Sequence, residues 1–261
     1  MGLYSDVLNM SSIHHTFFFK VIPISEFESL GALKENKPKL YETWINLSKD
    51  TPENQGMSNE NYYLRYSPYY PEFSKILGVI YASVGYDENG KLIKNLKRIV
   101  YNEETTVLKN FFDILYQLST DGNNSTPKDF KTLCGYNIIY NDIPFLIKRF
   151  ILNRDEMGYD RRMELPLILK NTLDLKPWDS TAVIDLASVW GFKGRDIYSM
   201  DLIINFLGLK SPQELLSPHK LSEKYWETFK NDEVEALKTI ATQGTIQTNA
   251  IISILNKLRG F

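Results

Sequence analysis

The chain has a single cysteine, Cys134, and three histidines in 261 residues. One thiol forms no internal disulfide and builds no thiolate zinc site. Its place in an apolar run predicts an ordinary buried thiol, which suits a reducing compartment. His14 and His15 are adjacent with no third ligand nearby, so they read as tail residues. No apolar run approaches the roughly 20 residues of a membrane span, so no membrane association is expected. Residues 1–12 lack a basic start followed by an apolar core and read as an N-terminal tail, not a signal peptide. Net charge is -2, which argues against a protein held to nucleic acid by bulk charge while leaving room for a local basic groove. There is no internal repeat.

What the chain does have is apolar and aromatic material: 43% hydrophobic residues and 13% aromatic, mostly Tyr and Phe. That is enough for one large α/β domain or two small ones. The run from His15 to Ile24 is aromatic and β-branched and reads as a strand ended by Pro23. A helix is expected near Lys39 to Leu47, and Thr51 to Asn61 has loop composition. Ile76–Tyr86 and Lys91–Val100 read as a hairpin through Asp87-Glu88-Asn89-Gly90, because Asn-Gly accepts positive φ cheaply. Between Glu103 and Leu118 the apolar residues fall at helical spacing. Ala182–Trp190 reads as a strand or strand–helix junction. Ser199–Leu207 and Ser211–Leu216 read as short helices, and Asp232–Leu258 as a long one kinked near Gly244. The order (strand, hairpin, helix, strand, helix, strand, helices) predicts a mixed sheet flanked by helices. We expect one domain over 13–261, with 25–70 as an irregular insertion between the first two strands.

The densest stretch is Leu133 to Arg149 (Leu-Cys-Gly-Tyr-Asn-Ile-Ile-Tyr-Asn-Asp-Ile-Pro-Phe-Leu-Ile-Lys-Arg). It reads as a short strand, a Gly-Tyr-Asn corner, and a carboxylate, Asp142, at a helix start. That arrangement can present a metal-binding Asp to a phosphodiester. It also suits a plain helix cap, with Pro144 tolerated in the first turn. Asn137 is expected to fix the corner through its own backbone, with substrate contact as the alternative.

These residues carry a resemblance. Cys134-Gly135-Tyr136-Asn137, with Asp142-Ile143-Pro144 and Lys148-Arg149, resembles the second motif of predicted 3'-5' exonucleases related to the exonuclease domain of family-B DNA polymerases. Tyr70-Pro71-Glu72-Phe73 with Ser83-Val84-Gly85-Tyr86, Lys176-Pro177-Trp178, Ile184-Asp185-Leu186 and Tyr198 to Leu202 with Leu207-Gly208-Leu209 follow the same family order, from about His15 to the C-terminus. The resemblance implies an RNase H-like fold of the DnaQ type. It also implies a centre in which four acidic side chains hold two divalent cations, Mg²⁺ or Mn²⁺.

The chain departs from that family where the chemistry would be. The first motif should be Asp-x-Glu, but Phe18 stands in place of the Asp and Lys20 in place of the Glu. The third should be Tyr-x-x-x-Asp, but Ile240 and Gly244 stand there. Asp142 is the sole surviving acidic position. A phenyl ring is no ligand, and an ammonium repels the cation it replaces. Relocated acids are the alternative: Glu26, Glu28, Glu42, Asp232 or Glu233. The expectation is therefore a catalytically degenerate, exonuclease-like protein with no cofactor, kept for binding single-stranded DNA, DNA ends or protein partners in replication, repair or phage assembly. An active Mg- or Mn-dependent exonuclease and a purely structural subunit remain the rivals. Composition rich in Lys, Asn, Ile and Tyr suits the cytoplasm of a low-GC bacterium or a phage-infected cell, or a virion.

Several side chains carry paired readings. Lys20 either fills the vacated metal place and pairs with Asp142, or reaches solvent from a strand edge. Lys148 and Arg149, with Arg154, Arg161, Arg162, Lys193 and Arg195, either line a nucleic-acid groove or form a solvated face. Tyr62, Tyr63, Tyr66, Tyr69 and Tyr70 either stack bases or pack a loop or partner surface.

Overall fold

The aromatic run after residue 15 pairs on both sides, and that pairing organises the molecule. The computed structural model describes residues 16–49, 51, 56–86, 88–89, 91–119, 132–158, 164–173, 183–191, 198–210 and 215–259. β1 (Thr16–Ser25) is the central strand of a five-stranded sheet ordered β3-β2-β1-β4-β5. β2 (Ser74–Tyr86) is antiparallel to β1, and β3 (Leu92–Val100) is antiparallel to β2. β4 (Thr132–Gly135) and β5 (Val183–Asp185) extend the other side in parallel. The predicted mixed sheet and hairpin are both present; Asp87 and Gly90 of the hairpin turn lie outside the described residues. β1 does not stop at Pro23. A register shift between Ile22 and Pro23 absorbs the missing N–H, and pairing resumes to Ser25.

The helices are α1 (Leu30–Asn36), α2 (Pro38–Lys49), α3 (Asn59–Tyr66), α4 (Glu104–Ser119), α5 (Asp142–Asn153), α6 (Leu167–Leu173), α7 (Leu186–Trp190), α8 (Met200–Phe206), α9 (Pro218–Phe229) and α10 (Glu233–Leu258). Alternation along β1 divides the core. Phe17, Phe19 and Val21 pack with Phe111, Phe112 and Leu115 of α4 and Leu146 and Phe150 of α5. Phe18 faces the other way, onto Ile203 and Ile204 of α8 and Ile251 and Leu255 of α10. Ile22 and Ile24 share that second face and meet Leu221 and Tyr225 of α9 and Ile240 of α10.

The stretch from 25 to 70 is not irregular. α1, α2 and α3 surround the fully buried Trp44, which packs edge-on to Tyr63 and Phe73 at ring separations of 5.3 and 4.7 Å. α2 is the helix expected near Lys39 to Leu47; α1 and α3 are too short to show a strong period alone, and a core shared by the three is not a local property of the sequence. The pattern also predicts no helix over 218–229, where α9 forms. Of the helix expected over Ser211–Leu216, residues 211–214 lie outside the described residues and the rest is not helical. α10 runs unbroken through the kink expected at Gly244. A Cβ there would lie 2.4 Å from Ile80 Cγ1 and 3.1 Å from Ile22 Cγ1. The glycine serves close approach of helix to sheet, not flexibility.

Candidate functional site

The site begins where β4 leaves the sheet. β4 pairs with β1 only over Thr16–Phe18 and ends at Gly135. The turn is tight: a Cβ on Gly135 would lie 2.7 Å from that of Ile138. Asn137 follows with φ 54°, a left-handed conformation that Asn accepts more readily than other non-glycine residues. The corner is tied from outside. Asp185, at the end of β5, accepts from the backbone N–H groups of Asn137 (2.8 Å), Ile139 (3.2 Å) and Ala187 (3.0 Å). Burial pushes the Asp185 carboxyl above its usual range, and those N–H groups oppose it. The local backbone bond at the corner runs from Asn141 N–H to the Asn137 carbonyl at 3.0 Å.

The corner delivers Asp142 to the start of α5, but not as a cap. Asn141 holds the cap position and makes no side-chain capping bond. With β4 gone from this edge of β1, Asp142 Oδ1 accepts from the Val21 N–H at 2.8 Å. The carboxylate thus satisfies a strand donor that would otherwise be orphaned. Lys20 Nζ donates to Oδ1 at 2.9 Å and to Oδ2 at 3.0 Å. The Asp142 side chain is 2% exposed and that of Lys20 16%. Burial pushes the Asp142 carboxyl upward; the Lys20 ammonium, then the Val21 N–H, pull it back.

Around the pair, Lys20, Pro23, Tyr69, Asn141, Leu221 and Gln247 line a small cleft. The residue α10 contributes is Gln247, neither Ile240 nor Gly244. Ile240 is buried against Ile22 and Leu77, and Gly244 lies on Ile80. One turn before Gln247, Gln243 accepts from the Leu216 N–H at 3.1 Å. Gln243 and Gln247 lie four residues apart on α10, three residues beyond Ile240 and Gly244. Helical periodicity held the signal, since residues three and seven beyond Ile240 share its face.

A two-cation centre does not fit these residues. Hard divalent cations need several oxygen ligands, preferably charged. Here a lysine, one carboxylate already bonded to Lys20 and Val21, and a neutral glutamine line the cleft instead, while Phe18 is buried in the core with α8 and α10. Among the described residues, no group of three His, Cys, Asp or Glu is placed to hold a metal. The acids considered as relocated ligands lie elsewhere. Glu26 pairs with Lys37 at 2.6 Å and Glu28 with Lys230 at 2.9 Å. Asp232 caps α10, Glu233 accepts from Asn102 at 2.5 Å, and Glu42 is exposed on α2.

The basic candidates separate. Lys148 is exposed and pairs with Glu72 at 2.9 Å. Arg149, its sequence neighbour, is 6% exposed and does not face a groove. Its guanidinium binds both oxygens of Glu104 and donates to the Pro71 carbonyl at 2.9 Å. Glu104 Oε1 also accepts from the Ile76 N–H at 2.7 Å, so the pair pins α5 and α4 to β2. Consecutive helical residues point about 100° apart, which is why one cation is wet and the other buried. Arg154 lies beside Asp155, while Arg161, Arg162, Lys193 and Arg195 lie outside the described residues. Of the tyrosine cluster, Tyr62 and Tyr63 belong to the Trp44 core, Tyr66 and Tyr70 are half-buried, and Tyr69 is exposed at the cleft mouth. No described helix is long and apolar enough to cross a membrane.

No family model matches this chain, and no curated protein matches it. Among solved structures, the family B DNA polymerase from the hyperthermophilic archaeon Pyrobaculum calidifontis is similar over 93% of this chain, at 15% identity and a TM-score of 0.46. The chain spans 24% of that polymerase chain. A likeness of that strength decides neither the fold family nor the function.

Proposed function

We propose that this chain is an RNase H-like domain of the DnaQ exonuclease type whose metal centre has been replaced by an ion pair, retained for binding. The single observation that carries the reading is Lys20 Nζ lying 2.9 Å from Asp142. The resemblance places an acidic ligand at position 20, and its ammonium now occupies the space beside the one surviving acid. The sheet, with one antiparallel hairpin and two parallel strands, agrees with that fold. The reading assigns no cofactor and no catalytic step. Its binding targets are single-stranded DNA, DNA ends or protein partners in a replication, repair or phage assembly.

The test is thermal melting with and without Mg²⁺ or Mn²⁺. A ligand that binds only the folded state stabilises it, by about 2.7 kcal/mol at about a hundredfold excess over Kd. The reading expects no cation-specific rise in Tm. A rise that Asp142→Ala abolishes would sink it and favour an active nuclease.

A further inference from the structure

We infer that β3 accepts an extended, acidic segment of a partner protein as a sixth strand of the sheet. This names one class of the protein partners proposed above and rests on that reading only for there being a partner. β3 is an edge strand, with β2 on one side and no described strand on the other. Alternate backbone N–H and C=O groups of such a strand point away from its neighbour and form a template for one more strand. Proteins blunt an edge by keeping it short, by proline, by a bulge or by charge. β3 is 9 residues long and has no proline (Leu-Ile-Lys-Asn-Leu-Lys-Arg-Ile-Val). It pairs with β2 residue for residue from Gly78↔Val100 to Tyr86↔Leu92, without a bulge. Charge is left to decide what the edge accepts.

That charge is of one sign and lies on both faces of the strand. Lys94 and Arg98 are on the α10 face: Lys94 Nζ donates to Asn249 Oδ1 at 3.2 Å, and Arg98 Nε to Thr245 Oγ1 at 2.8 Å. Lys97 is on the opposite face, which it shares with Ile99 of the core packed on α4. All three cations are exposed, and among the described residues none pairs with an acid. A second copy of β3, laid antiparallel and centred on Leu96, sets Lys94 against Arg98, and like charges directly opposite oppose pairing. A phosphate backbone running over one face meets the cations of that face alone. An extended acidic peptide meets all of them, because its side chains alternate between the two faces at a cross-strand distance of about 5 Å. Ile93, 53% exposed on the Lys97 face, gives the incoming strand an apolar neighbour. Main-chain bonds then supply affinity, and carboxylates opposite the cations supply specificity.

The test uses a fluorescein-labelled peptide as long as β3, Thr-Glu-Val-Glu-Glu-Val-Glu-Val-Thr, which turns carboxylates to both faces. The readouts are anisotropy with the full chain and amide hydrogen exchange over Leu92–Val100. The peptide should bind, and the outward-pointing amides of β3 should become protected. The counterpart with Gln in place of every Glu should bind more weakly. Lys97→Gln should weaken binding by about 2- to 5-fold, the range of one cross-strand charge pair, and Lys97→Glu by more. Lys97 makes no side-chain hydrogen bond or ion pair among the described residues, so neither change disturbs the fold. Lys39→Glu/Lys49→Glu on α2 alters the net charge further and should leave binding unchanged. No binding at about 1 mM peptide, or binding without protection in β3, would overturn the proposal. So would equal binding of the same peptide N-methylated at every residue, or of an oligothymidylate of the same charge, since neither can add a strand. Each of these failures leaves the ion-pair reading of the cleft standing, whereas a cation-specific rise in Tm defeats that reading whatever β3 binds.

Discussion

Replacing Lys20 with Met keeps the length of the side chain and removes its charge. In the wild type, the Asp142 carboxylate is 2% exposed and is held by the Lys20 ammonium and the Val21 N–H. Without Lys20 a buried charge remains with one backbone donor. Breaking one side of a buried ion pair costs about 3–5 kcal/mol. Because Lys20 keeps 16% of its side chain in solvent, the lower end applies, about 3 kcal/mol at neutral pH. For a chain of this size that lowers Tm by roughly 6–12 °C. The sign with pH follows from Asp142. Its folded carboxyl is already raised by burial, and losing Lys20 removes the strongest opposing influence, so it rises further. A raised carboxyl favours the folded state below its unfolded pKa, and that contribution fades as pH climbs through the folded value. The deficit of Lys20→Met should therefore be greatest at neutral pH and shrink on acidification. Adding Asp142→Asn should recover most of it, because the amide oxygen still accepts from Val21. Denaturant unfolding of the four proteins of this cycle, at neutral and acidic pH, measures all of it. A cost below about 1 kcal/mol that does not change with pH would refute the claim of a desolvated pair.

Two further outcomes follow. Gly244→Ala should destabilise by about 1–3 kcal/mol through overpacking against Ile80, although Ala favours an exposed helix, and Ile80→Val should relieve part of the loss in chemical denaturation. Arg149→Met should cost about 3–5 kcal/mol by stranding Glu104, while Lys148→Met on the exposed neighbour should change stability by under about 0.5 kcal/mol.

The parts of the fold that declare themselves in the sequence are those with a strong local period. The β2–β3 hairpin and α4 fall within a residue or two of their predicted limits, because alternation, a turn sequence and i, i+3, i+4 spacing are local properties. The lobe around Trp44 depends on three short helices meeting in space, which no single window records. Gly244 shows the same limit: a glycine needed for close helix–sheet contact looks like one that permits a kink. At the site, Lys20 stood out as a cation on an aromatic strand, and Asp142 as an acid after a corner. Their meeting needed β4 to end early, and the bond to Val21 needed the edge that this opens. Gln247 was missed because a three-residue offset along α10 separates the residue in the cleft from one buried under Ile80. Asp185 appeared only as part of a strand, and its role at the corner depends on the β4–β5 pairing.

The measurement that bears most directly on the proposed replacement of a metal centre is nuclease activity on a 3'-labelled single strand with Mg²⁺ and with Mn²⁺, beside Asp142→Ala. The ion pair at Lys20 and Asp142 predicts no metal-dependent release of nucleotides from either protein. Cleavage by the wild type that is lost in Asp142→Ala would contradict it and show that Asp142 still serves a working centre.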